Sequence, residues 1–152
     1  MDGYALVKTL HIISAAVVFG TGLGIAHAMW RAHRTGELAL RRFGAALTVR
    51  SDFTFTLPAV IIQPLSGAWL VWQGGFAWDD AWLVATYGLY LLAGLCWVPV
   101  VFIQIAMQRE LARAMPDEAR LERLYRWWFA LGWPAFGGLL VVFWLMVTKP
   151  SW

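Results

Sequence analysis

One cysteine, three histidines and few charges make up most of the reactive chemistry in this 152-residue chain. Cys96 has no second thiol to pair with, and within its apolar run it reads as a small packing residue. Only 14% of residues are charged and 61% are hydrophobic, with a mean hydropathy of +0.62. A soluble domain of this size carries about 25% charged residues. The shortfall excludes a soluble globular protein and points to a chain dissolved in lipid. Spans of about 20 residues each use up most of the length, so any chemistry belongs inside a single membrane domain or at its rims. The net charge of +3 and pI near 9.4 would suggest nucleic acid in a soluble chain. Here the arginines flank the apolar runs, where orientation and lipid headgroups account for them, and no nucleic-acid partner is expected.

Four apolar runs predict helices over about 4–30, 53–72, 82–107 and 127–147. The first is too long for a signal-peptide core and lacks a basic start and a cleavage site, so it reads as a retained span. No segment alternates as barrel strands do. The expected fold is therefore all-α, an integral membrane four-helix bundle. Arg31, Arg34, Arg41, Arg42 and Arg50 lie between the first two runs, and Arg109, Arg113, Arg120, Arg123 and Arg126 between the last two. The middle loop holds Asp79 and Asp80 and no basic residue. By the positive-inside rule the Arg-rich connections are cytoplasmic and both termini lie outside, as in a multi-pass protein of the bacterial inner membrane. Pro58, Pro64, Pro99 and Pro134 interrupt the runs and predict kinks. Ala16, Gly20, Gly24 and Ala28 form a ladder of small residues on the first helix, a close-packing face for another helix of the chain or for a homodimer.

Ionisable groups inside a bilayer are rare and are functional candidates by default. Here they are Lys8, His11, His27 and Asp52, joined by the amides of Gln63 and Gln104. His11 reads either as a hydrogen-bonded packing residue or as a metal ligand. It follows Lys8 by three residues, as Met146 precedes Lys149 by three. If both lysines reach the outer interface, His11 and Met146 share a depth. That is the arrangement of two axial haem ligands, with the propionates meeting Lys8 and Lys149. His27 lies about 24 Å further along the axis and on nearly the opposite face, so the two histidines cannot share one metal, and His27 reads as structural. Asp52, after Ser51, reads as a helix cap, with a proton or substrate site paired with Arg50 or Arg126 as the alternative. Gln63 and Gln104 tie helices together or hold a quinone carbonyl.

The segments Val7-Lys8-Thr9-Leu10-His11-Ile12-Ile13, Trp82-Leu83, and Leu124-Tyr125-Arg126-Trp127-Trp128 through Val147-Thr148-Lys149-Pro150 resemble the HemJ-type protoporphyrinogen oxidases. Over nearly its whole length the chain resembles a family of bacterial integral membrane proteins of unknown function that is itself similar to HemJ. The shared features are Gly20-Thr21-Gly22-Leu23-Gly24, Asp52, Pro58-Ala59, Gln63-Pro64, Gly67, Gly94, Trp97-Val98-Pro99, Gln104 and Met146-Val147-Thr148-Lys149-Pro150. The HemJ resemblance implies haem b held by a first-helix histidine, which falls on His11, and a third-helix lysine. At that lysine's place this chain has Thr86, and no lysine occurs in its third helix. What carries over is therefore haem binding rather than porphyrinogen oxidation.

Together these observations predict a cytochrome b-like membrane protein that binds haem through His11 and transports electrons, or acts as an oxidoreductase, with a quinone or porphyrin as partner. Two alternatives stand beside it: a non-catalytic assembly partner or small-molecule carrier, and porphyrinogen oxidation despite Thr86.

Overall fold

Lipid offers the backbone no hydrogen-bond partners, so a membrane-embedded chain closes its bonds within helices. The computed structural model describes residues 3–150, and every regular element among them is helical. Helix α1 spans Gly3–Thr35, α2 Leu38–Ser51, α3 Leu57–Gly74, α4 Ala81–Leu111 and α5 Glu118–Thr148. One π-helical turn, Asp52–Thr56, joins α2 to α3, so these two form a continuous rod from Leu38 to Gly74. The resulting 4 rods are each long and apolar enough to cross a bilayer, as the apolar runs predict.

The rods outrun the apolar stretches that mark them, chiefly on the Arg-rich side. The second begins at Leu38, not near Phe53, and the fourth at Glu118, not near Trp127. Residues 38–51, expected to be a connection, are helical for two reasons. Leu, Ala and Arg are good helix formers, and the segment packs back along α1 after the left-handed turn at Gly36 (φ 72°). The approach is close enough that a Cβ on Gly44 would stand 2.8 Å from that of Ala32. With 37 residues the second rod is about 55 Å long, against about 30 Å of hydrocarbon. The surplus carries the arginines clear of the apolar layer.

Two features differ from the sequence expectation. Asp52 does not cap a helix start: it lies within the rod, and no cap hydrogen bond involves its side chain. The reason sits six residues on. Pro58 has no N–H to give and crowds the preceding turn. The ladder steps around it through a π turn in which the Leu57 N–H reaches the Asp52 carbonyl. The small-residue ladder, in turn, is not a packing face within the chain. Ala16, Gly20 and Gly24 are exposed, and nothing lies within 4 Å of a Cβ on either glycine. Gly22, off that ladder, receives Phe136 instead.

The bundle is apolar outside as well as inside. Leu65, Leu91, Leu95, Phe102 and Trp133 are all about two-thirds exposed, which lipid tolerates and water would not. Its buried core divides by depth. Met29, Ala45, Val100, Met107, Leu111, Leu121 and Trp128 pack near the Arg-rich face. Val71, Trp82, Leu83 and Leu145 pack near the opposite one.

Candidate functional site

Near the face opposite the arginines, α1 lays His11 against α3. Ser66 Oγ stands 2.8 Å from His11 Nδ1, and Gln63 Nε2 donates to the His11 carbonyl at 3.2 Å. Gly67 leaves room for the ring, because a Cβ there would come within 3.2 Å of His11 Cε1. Ser66 has a single hydroxyl proton, and its Oγ lies 2.6 Å from the Ile62 carbonyl, the i−4 acceptor. With that proton committed to the carbonyl, Oγ can only accept from His11 Nδ1–H. Nε2 is then the nitrogen with the free lone pair.

The other residues predicted for a haem site are placed differently. Met146 packs beside Val71, Trp82, Leu83 and Leu145. Lys149 holds its ammonium 4.2 Å above the Phe76 ring and 5.6 Å from that of Trp82. Lys8 is exposed on α1. His27 is exposed beside Trp30 of its own helix. Thr86, at the place of the HemJ lysine, is buried and bonds back to the Trp82 carbonyl at 2.8 Å.

A second polar group gathers at the π turn. Asp52, Thr56 and Gln104 are each at most 4% exposed. The Asp52 carboxylate faces the side chains of Thr56, Gln104 and Trp97. None of these closes into a full hydrogen bond: Asp52 Oδ2, Thr56 Oγ1, Trp97 Nε1 and Gln104 Oε1 all lack a partner. Asp52 and Gln104, singled out separately in the sequence, are thus neighbours. The expected pairing of Asp52 with Arg50 or Arg126 is not formed, and both arginines are exposed. A crevice of about 10 Å³ lies beside the carboxyl, lined by Asp52, Phe53, Leu57, Trp97 and Val101.

At the Arg-rich face the structure shows contacts that the sequence does not announce. Glu110, 3% exposed, binds Arg113 at 3.1 Å and Arg120 at 3.5 Å and accepts the Asp117 N–H at 3.1 Å. Arg42 caps the end of α4 by donating to the Leu111 and Arg113 carbonyls. Arg41 holds Glu118 with two bonds. His33 stacks on Tyr125 with ring centres 3.8 Å apart and meets Glu122 at 3.2 Å. The i,i+3 spacing of Glu110 and Arg113 was the one local clue to this cage. Ser66 gave none, since its partner lies 55 residues away. Among the described residues no three His, Cys, Asp or Glu side chains converge as a metal-ion site of protein ligands alone requires.

Four apolar rods that expose large side chains on every side define a multi-pass helical membrane protein. The chain belongs to the family described as predicted integral membrane protein (DUF2269), whose profile matches residues 5–150. No curated protein and no solved structure matches it, so the likeness to HemJ rests on the residues quoted above.

Proposed function

We propose that this membrane protein binds haem b and passes electrons, with His11 as the axial imidazole. The supporting observation is the seat of His11. Ser66 Oγ accepts a hydrogen bond from Nδ1–H and Gly67 makes space for the ring, an arrangement that orients Nε2 and leaves its lone pair free, as an iron ligand's must be. Haem supplies the one-electron chemistry when bound. The chain's part is to hold the imidazole and fix its tautomer. Met146 as second ligand and Lys8 and Lys149 as propionate partners follow from the sequence spacing alone, and require Met146 and Lys149 to leave the contacts they make with Val71, Phe76 and Trp82. A membrane-soluble quinone or porphyrin is the electron partner that suits a site reached through lipid.

The test is the absorption spectrum of protein purified from haem-replete cells. A Soret band is expected, lost in His11→Ala and kept in His27→Ala. Folded wild-type protein without the band overturns the reading. Retention of the band's position and reduced-state spectrum in Met146→Ala removes Met146 from the ligand set alone.

A second reading, a non-catalytic assembly partner, draws on the uncovered face of Ala16, Gly20 and Gly24 on α1. It predicts colourless protein that associates through this face, and dissociates in Gly20→Leu.

A further inference from the structure

Asp52 is the feature of the bundle that haem binding leaves unused, and its surroundings are unusual for a carboxylate. It is 2% exposed, yet no cation of the described residues pairs with it. The π turn packs against α1, α2 and α3 while Asp52 faces α4, and among the described residues no salt bridge joins Asp52 to a charged group on any of them. Arg50, two residues before it, is exposed. The polar groups that face it are all neutral: Thr56 on its own turn, and Trp97 and Gln104 on α4. Burying an ionised carboxylate without a counter-charge costs several kcal/mol. Something positive has to reside there.

The chemistry of the neighbours identifies it. A metal cation needs a shell of oxygen acceptors. Around Asp52, however, stand an indole N–H, an amide and a hydroxyl, and the indole can only donate. Such a seat suits a carboxyl group that gains and loses a proton: the donors hold the carboxylate, while the Thr56 hydroxyl and the unpartnered Gln104 Oε1 can accept from the acid. The crevice beside Asp52, about 10 Å³ and walled mainly by Phe53, Leu57, Trp97 and Val101, is too small and too apolar to hold a metal ion with its waters. Depth sets the side of access. Twenty residues of helix separate Asp52 from the exposed Trp72 at the far end of the same rod, about 30 Å and so the full thickness of the hydrocarbon layer. Asp52 therefore lies where that layer ends at the Arg-rich face.

We propose that Asp52 is a proton-binding site of this membrane protein, loaded from the Arg-rich face near which it lies, with Thr56, Trp97 and Gln104 as its seat. In the binding step a hydronium from the water at the Arg-rich face gives its proton to a carboxylate oxygen. An O–H bond forms, the hydronium reverts to water, and the carboxylate charge is neutralised. The site does not depend on whether haem is bound at His11, which sits toward the other face.

Dicyclohexylcarbodiimide tests the proposal, because its C=N bond adds a carboxyl O–H in an apolar setting and leaves ionised carboxylates alone. Purified protein in detergent is treated in buffers from mildly acidic to alkaline and mapped by peptide mass. The expected result is an adduct on Asp52 whose yield falls as pH rises, is abolished in Asp52→Asn, and is indifferent to sodium chloride. Folded protein without an Asp52 adduct at any pH overturns the proposal. So does labelling that sodium suppresses, which would make the site a metal-cation site. Peptide mapping of the wild type alone decides the matter if Asp52→Asn does not fold.

Discussion

Glu110 shows how one side chain can decide a local structure that composition does not reveal. It ends α4 inside a cage of two guanidinium groups and one backbone N–H, with its own side chain 2% exposed. In sequence it is one acid among the charges of an Arg-rich connection, and nothing there marks it as buried. Packing reverses this, since Leu111 and Leu121 of the adjoining core close over the same corner. Arg113 and Arg120 are about half exposed and stay solvated without Glu110, so the loss is the hydrogen bond from the Asp117 N–H and the packing of the corner, about 1–3 kcal/mol. Glu110→Ala is therefore expected to lower the thermal midpoint of the detergent-solubilised protein by several degrees. Glu37→Ala, on an exposed residue of the α1–α2 turn, should leave it unchanged. Equal midpoints for the two variants would show that the cage carries no stability.

At the scale of elements, the sequence revealed the apolar parts of the rods and concealed their ends. A hydropathy run marks where lipid begins and stops, whereas a helix stops where capping and packing allow. Residues 38–51 are helical because Gly44, Ala45 and Thr48 fit closely against α1, and no hydropathy pattern encodes that fit. The π turn was equally hidden. Pro58 announced a disturbance, but the direction in which the ladder would yield depends on what lies opposite. In the same way His11, Asp52 and Gln104 stood out as polar residues in apolar runs, while Ser66, Thr56 and Trp97, which complete their surroundings, are ordinary residue types made significant only by three-dimensional neighbours. The glycines carry the same lesson and can be tested. Gly44→Val places a branched side chain against Ala32 and is expected to cost about 1–3 kcal/mol, read as a lower thermal midpoint. A Cβ at Gly24 meets nothing within 4 Å among the described residues, and Gly24→Ala is expected not to lower the midpoint.

For the whole molecule, the question is which way the bundle faces. Every arginine lies on the two connections at one face, and the loop between α3 and α4 at the other face is acidic. In the folded protein Arg41, Arg42, Arg113 and Arg120 are bound to carboxylates and carbonyls, so that face is less positive than the residues alone suggest. Orientation is set earlier, as spans enter the membrane, when each basic side chain counts and acidic ones count little. The later pairing therefore leaves the topological signal intact, and the Arg-rich face should be cytoplasmic. With Cys96 replaced by Ala, a single cysteine at Asp79, in the exposed α3–α4 loop, is expected to react with a membrane-impermeant thiol reagent added to intact cells. One at Ala114, in the exposed α4–α5 loop, should react only after the membrane is opened. The reverse pattern would turn the bundle over. His11 would then face the cytoplasm, and Asp52 would load its proton from outside.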